Sequence, residues 1–159
     1  MKSSKSLRRA CKAVPLLFLL LASCSQKKES GSTSRKESLS EKEDISLRLL
    51  LNNTVLPVKW EKNSSVSELQ ESFSGSIELE SHLYGGFERV CALPKKIRSM
   101  DERQTAVCGD IMLYQGNSMV LFYGTNTWEY TKLGHVDMEE SRWERLLTED
   151  MVKIELGFN

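Results

Sequence analysis

From residue 45 onward, apolar and polar residues alternate over short stretches that are separated by turn residues. Such alternation is typical of β-strands that bury one face. Pro57 has no amide hydrogen, which places its strand at a sheet edge or at a bulge. The pattern predicts seven or eight short strands, over residues 45–51, 55–60, 75–81, 87–93, 111–114, 119–123, 130–136 and 152–156.

Two stretches have helical spacing instead. Residues 65–68 read Ser-Val-Ser-Glu, the pattern of a capping box, and they begin a short helix that Gly75 ends. Residues 139–147 are amphipathic and predict a second helix, whereas the polar region 95–105 predicts a loop. The strands outnumber the helices, so the sequence predicts a mainly β fold, a compact barrel or sandwich with two short helices.

The N-terminal segment has the features of an export signal. A basic stretch precedes an apolar run over residues 13–22, which is too short to cross about 30 Å of hydrocarbon. The run ends in Leu21-Ala22-Ser23-Cys24, which resembles a bacterial lipobox. We expect residues 1–23 to be a lipoprotein signal peptide and Cys24 to carry the lipid; a plain signal peptide with an incidental cysteine is the alternative.

The next segment, residues 24–44, is predicted to be a disordered tether behind the lipidated cysteine. Residues 25–44 contain six serines, five cations, five acids and one large apolar residue, Leu39. A segment of this kind cannot bury enough apolar surface to offset its ordering entropy. The predicted partner is therefore a lipid bilayer, reached through Cys24, and the predicted location is the bacterial cell envelope. Ser25 after the cysteine favours the outer membrane, if the organism has one.

Charge argues against a nucleic-acid partner. The whole chain has 22 basic and 22 acidic residues, and five of the cations lie in residues 1–23. What remains after removal of that segment has 17 cations against 22 acids, a net charge of −5. An acidic protein of this kind is repelled by a phosphate backbone.

Few residues have the spacing of a catalytic or metal site. The two histidines, His82 and His135, are far apart in sequence, and neither lies in a nucleophile motif. Together with Cys91 and Cys108 they show no metal-ligand spacing, so neither a metal nor a cofactor is expected. The two cysteines have two open interpretations, a disulfide of an exported protein or a pair of free buried thiols.

Four segments in order resemble the bacterial cyclophilin-like domains, which are small barrels related in fold to the peptidyl-prolyl isomerases. These segments are Tyr84–Ile97, Gly109–Tyr114, Ser118–Gly124 and Tyr130–Asp137. The resemblance covers residues 45–158 and assigns residues 45–159 to one domain. It implies a closed β-barrel of about eight strands, with a helix covering each end.

The resemblance leads to two expectations for the site. Cyclophilin isomerases have a catalytic arginine near a Phe-His-Arg-Val string, and Phe87-Glu-Arg-Val90 is similar, with Glu88 in place of histidine. An isomerase would use Arg89 against the amide, with Phe87, Phe122 and Trp128 as apolar walls. A binding module would instead use Tyr84 and Trp128 as aromatic anchors of a cleft.

The Gln-Gly-Gly-Asp string of the isomerases is absent, which favours the second expectation. We therefore expect a lipid-anchored, non-catalytic module that binds a ligand, an exported peptide or another envelope protein. The alternative function is a weak prolyl isomerase acting on exported proteins, and a purely structural envelope part is a third. The candidate binding residues are Tyr84, Phe87, Arg89, Phe122 and Trp128.

Overall fold

The computed structural model describes residues 47–158, so the predicted signal peptide, Cys24 and the tether lie outside the described residues. None of the helices in this range is long and apolar enough to cross a membrane. The described part of the chain contains two helices and eleven strands: β1 (Arg48–Leu51), β2 (Thr54–Val55), β3 (Val58–Trp60), α1 (Ser64–Ser72), β4 (Gly75–Leu79), β5 (Ser81–Tyr84), β6 (Glu88–Ala92), β7 (Glu102–Ala106), β8 (Asp110–Tyr114), β9 (Ser118–Phe122), β10 (Asn126–Val136), α2 (Glu140–Thr148) and β11 (Ile154–Phe158).

The strands pair in two antiparallel sheets. One sheet has the order β2-β1-β11-β4, and the other has the order β3-β10-β8-β9-β6-β5, with β7 paired to β10. The chain passes from one sheet to the other four times, between β2 and β3, between β3 and β4, between β4 and β5, and between β10 and β11. The fold is mainly β with two helices, as predicted, and within the described residues neither sheet is closed into a barrel.

Two strands lie where the sequence pattern did not predict them. β7 falls largely within the polar region 95–105, which was predicted to be a loop. The sequence pattern did not reveal this strand because Ala106 is its only apolar residue and its apolar and polar residues do not alternate. Its position is fixed by pairing with residues 126–130, the first half of the long strand β10. β5 was missed for a similar reason, since three of its four residues are exposed.

The first helix begins earlier than its predicted cap. The Asn63 side-chain oxygen accepts a hydrogen bond from the Val66 amide at 3.0 Å, so Asn63 is the N-cap. Ser65, the predicted cap, lies inside the helix and is buried. The bounds of the second helix agree with the predicted bounds within one residue. This helix begins after Glu139, whose carboxylate accepts hydrogen bonds from the amides of Ser141 and Arg142.

The seven-stranded sheet has an apolar cluster on each face, because successive strand residues point to opposite sides. Leu121 and its partner Ile111 face the main core, which also contains strands of the other sheet and the buried Trp143 of α2. The opposite face has a smaller cluster, formed by Ala106, Met112, Val120, Phe122 and Tyr130 with Phe87, Val90 and Tyr114 against it. This second cluster forms the base of the site described below.

A buried acid ties β8 to β10. Asp110 accepts hydrogen bonds from Lys132 Nζ at 2.9 Å, His135 Nδ1 at 3.0 Å and the Val107 amide at 3.1 Å. Burial acts to raise the pKa of Asp110, but these three donors outweigh burial and lower it. His135 therefore helps to hold β8 and β10 together through its hydrogen bond to Asp110.

Candidate ligand-binding cavity

A cavity of about 530 Å³ lies on the face of the smaller cluster. Strands β5, β6, β8, β9 and β10 and the turn before β6 supply its walls, and most of the lining side chains are aromatic or apolar. They are His82, Tyr84, Phe87, Glu88, Val90, Tyr114, Ser118, Val120, Asn126, Trp128 and Tyr130. A cavity of this size and composition is typical of small-molecule sites.

The rim has two large aromatic side chains that the protein leaves in solvent. Tyr84 is 61% exposed and Trp128 is 52% exposed, although both line the cavity. Below them, the Phe87 ring is stacked on Phe122 with centroids 6.4 Å apart, and Phe122 meets Tyr130 edge-on at 5.5 Å. Phe122 is itself fully buried and supports the wall from beneath. The rim is thus open while the base is firmly packed.

Three glycines determine where Phe87 lies. Gly85 and Gly86 both have positive φ angles, 63° and 73°, and form the turn that leads into Phe87. A Cβ atom on Gly124 would come within 2.7 Å of the Phe87 Cβ atom. The Phe87 carbonyl accepts hydrogen bonds from the Tyr123 and Gly124 amides at 3.0 and 2.9 Å. The turn therefore positions an aromatic wall.

Among the described residues, Glu88 is the one carboxyl group of the cavity wall. Its residue is only 6% exposed, and its Oε2 atom has no hydrogen-bond partner among the described residues. Burial raises the pKa of Glu88 to about 7, because the surrounding aromatic side chains solvate a carboxylate poorly. An unpaired carboxyl group in a cavity is a site where a ligand gains from binding.

Tyr130 adds a second polar group to the same wall. Its hydroxyl oxygen accepts a hydrogen bond from Asn126 Nδ2 at 3.0 Å. Burial raises the pKa of Tyr130, and the nearby charge of Glu88 raises it further. The hydroxyl therefore keeps its proton, which is available for a hydrogen bond to a ligand.

Arg89 lies on the opposite face of β6. Its side chain is 4% exposed and its guanidinium donates to the Leu147 carbonyl at 2.7 Å, the Glu149 carbonyl at 2.8 Å and the Ser81 hydroxyl at 3.1 Å. These two carbonyls belong to the C-terminal end of α2, where a cation is favoured by the helix dipole. The prediction that placed Arg89 beside Phe87 and Trp128 is wrong, because alternation along β6 points it away from the cavity.

Of the five predicted binding residues, three line this cavity. Tyr84, Phe87 and Trp128 come together there, Phe122 supports them from below and Arg89 is elsewhere. Sequence reasoning missed Glu88 as a wall residue. The available signal was that Glu88 shares a strand face with Val90, which places an acid in an apolar row.

The two cysteines are free thiols in the structure, so the disulfide alternative is not present. Cys91 is buried in β6, and burial raises the pKa of its thiol to about 12. Cys108 lies in the turn before β8; its pKa is raised first by burial and then by acids such as Glu140 and Glu144 of α2. Residues 47–158 contain no cluster of three or more His, Cys, Asp or Glu side chains that could hold a metal ion.

Comparison with known protein families agrees with this architecture. The model of the cyclophilin-like family matches residues 49–157, about two thirds of the chain. The chain belongs to the cyclophilin-like family. No curated protein and no solved structure matched it. In this cyclophilin-like domain the Phe87-Glu-Arg-Val90 string directs Glu88, and not Arg89, towards the cavity.

Proposed function

We propose that this cyclophilin-like domain is a non-catalytic binding module that takes a small ligand, or one side chain of a peptide, into the aromatic cavity. One observation carries the proposal: a cavity of about 530 Å³ with aromatic walls contains a buried carboxyl group whose Oε2 atom has no partner. Native proteins rarely leave a buried polar atom unpaired, and an unpaired carboxyl oxygen on a residue that lines a cavity suggests a partner from outside.

The rim supports the same interpretation. Tyr84 and Trp128 expose large amphipathic rings, which are the side chains that most often dominate binding energy. The base beneath them is held by the contacts of Phe122 with Phe87 and Tyr130, so the cavity exists before a ligand arrives. A preformed cavity binds more tightly because little ordering entropy is lost.

The alternative, a prolyl isomerase, has less support. It requires a cation or a strong donor against the substrate amide, and the sequence offered Arg89 for that role. The guanidinium of Arg89 is instead hydrogen-bonded to the end of α2 and is nearly inaccessible. Binding without catalysis is therefore the simpler proposal.

We expect 2-phenylethanol, a small aromatic probe, to bind in the cavity of the full chain. Truncating the half-exposed ring in Trp128→Ala should weaken this binding about tenfold, because an anchor ring is lost. NMR chemical-shift titration measures both affinities. Met151→Ala is a matched control, since Met151 is highly exposed and does not line the cavity. Equal affinity of wild type and Trp128→Ala, or no binding at all, would count against the proposal.

We also propose that the domain is anchored to a lipid bilayer of the cell envelope through Cys24, which lies outside the described residues. The support is the short apolar run that ends in Leu21-Ala22-Ser23-Cys24. Two or more acyl chains on one cysteine give a stable anchor, whereas one chain binds a membrane only reversibly.

Labelling of expressing cells with radioactive palmitate tests the anchor. The wild-type chain is expected to incorporate label and Cys24→Ala to incorporate none, while Cys11→Ala, at the cysteine inside the predicted signal peptide, keeps the label in the mature chain. Label that persists in Cys24→Ala, or that is absent from the wild type, would refute the anchor. The cavity proposal does not depend on this result.

A further inference from the structure

We infer that the ligand of this cavity carries a protonated amine on an apolar body, and that the carboxylate of Glu88 binds the ammonium group. This inference rests on the proposed binding function and specifies the chemical class of the ligand. It goes beyond that function because an aromatic cavity alone would accept neutral ligands equally well.

The first argument is the unpaired oxygen. Glu88 is more than nine-tenths buried, and no donor in residues 47–158 reaches its Oε2 atom. A carboxylate without a partner in such surroundings is costly, and the cost disappears when a cation with N–H donors is bound beside it. An ammonium group provides both the charge and the donors.

The second argument is the aromatic wall. The rings of Phe87 and Tyr130 flank the base, and those of Tyr84 and Trp128 form the rim. The face of an aromatic ring is electrostatically negative and attracts a cation within about 6 Å. A site lined by several aromatic rings and one carboxylate therefore favours a positive ligand over an isosteric neutral one.

The third argument is the absence of a competing cation. Among the lining residues of the described chain, His82 is the one basic side chain, and it lies on the exposed edge strand β5. Arg89 is adjacent in sequence but points to the other face of β6. The other ionisable groups that face Glu88 or line the cavity are all phenols, namely Tyr84 on β5, Tyr114 on β8, Tyr123 after β9 and Tyr130 on β10.

The pH dependence distinguishes an ammonium ligand from a neutral one. Burial raises the pKa of Glu88 to about 7, so the carboxylate is formed as the pH rises through neutrality. A ligand that needs the carboxylate binds more tightly at high pH. A neutral ligand that accepts a hydrogen bond from the protonated acid would instead bind more tightly at low pH.

The test compares 2-phenylethylammonium with 2-phenylethanol, which have similar shapes and differ in charge. NMR titrations of the full chain are made at pH 5.5 and at pH 8.5. Affinity for the ammonium probe should rise about thirtyfold between these values, which is the rise in the charged fraction of a carboxyl group with a pKa of about 7. Affinity for the alcohol should be nearly independent of pH.

Two variants identify the responsible group. Glu88→Gln keeps the shape of the side chain and should remove both the preference for the ammonium probe and its pH dependence. Glu129→Gln, which removes an exposed acid of β10 outside the cavity wall, should keep both. Loss of the preference in Glu129→Gln, or its survival in Glu88→Gln, would overturn the inference.

Failure of the inference can be separated from failure of the proposed function. If both probes bind equally at pH 8.5 and Trp128→Ala weakens both, the cavity binds ligands but the amine assignment is wrong. If neither probe binds, the proposed function fails as well. A further arm with Nα-acetyl-lysine methylamide distinguishes the source of the amine, because binding of this compound indicates a lysine side chain of a polypeptide, and its exclusion indicates a free small amine.

Discussion

Glu88→Gln is expected to raise the free energy of unfolding by about 3 kcal/mol at pH 8.5 and to leave it nearly unchanged at pH 4. Burial raises the pKa of Glu88 from 4.5 to about 7, and each unit of such a shift corresponds to about 1.4 kcal/mol. Between these two pKa values the folded chain holds a proton that the unfolded chain has released. Wild-type stability therefore falls as the pH rises through this range, and the neutral amide removes the fall.

Chemical denaturation of both proteins across the pH range measures this difference. Glu129→Gln provides the matched control, because it removes one exposed acid from β10 and should follow the wild-type curve. If the difference in the free energy of unfolding between Glu88→Gln and the wild type is the same from pH 4 to pH 8.5, Glu88 is not the group that lowers the stability at high pH.

A stabilising substitution in a binding site has a functional meaning. The carboxylate of Glu88 lowers the stability of the empty domain, which natural proteins tolerate where an interaction with a ligand offsets it. The same charge that destabilises the unliganded chain is expected to increase affinity for a cation. Stability and binding should therefore change in opposite directions in Glu88→Gln.

Arg89→Met is expected to lower the free energy of unfolding by about 3 kcal/mol or more. The substitution keeps much of the side-chain volume but removes all donors to the Leu147 and Glu149 carbonyls and to the Ser81 hydroxyl. Hydrogen bonds from a charged group contribute about 1.5–3 kcal/mol each, and part of this is recovered because the buried charge is also removed. Denaturant unfolding monitored by circular dichroism measures the loss.

Ligand binding by Arg89→Met, measured under conditions where the variant is folded, distinguishes a structural role of Arg89 from a catalytic role. Arg89→Met should bind 2-phenylethanol as the wild type does, because Arg89 does not line the cavity. Arg103→Met, at an exposed arginine of β7, is the control for loss of a positive charge and should change neither property. Prolyl isomerase activity in the wild type that disappears in folded Arg89→Met would contradict the structural assignment.

The sequence predicted those parts of the fold where local chemistry and tertiary structure agree. Strands β8 and β9 contain the apolar runs 111–114 and 119–122, and α2 combines an acidic cap with an apolar face at Trp143 and Leu147. Asn52 and Asn53, which separate the predicted strands 45–51 and 55–60, form a turn in which both residues have positive φ angles. In these segments, residue type alone specifies the local conformation.

The cavity was harder to predict because it depends on which face each strand residue occupies. Glu88 and Arg89 are neighbours in sequence, yet one lines the cavity and the other anchors α2. A shift of the strand register by one residue would exchange the faces of Glu88 and Arg89. The apolar residues around them are compatible with either register. Pairing of Glu88 with Phe122 of β9 fixes the choice, and that pairing is non-local. β7 was missed for the same reason, since only its partner strand defines it.

The separation of the two apolar clusters by one sheet has an evolutionary consequence. Residues that determine folding, such as Leu121 and Ile111, project to the side of the main core, while Tyr84, Glu88 and Trp128 project to the cavity side. Substitutions on the cavity side can therefore accumulate without loss of the scaffold. A duplicated copy of this domain has a route to a new specificity in which each intermediate sequence still folds.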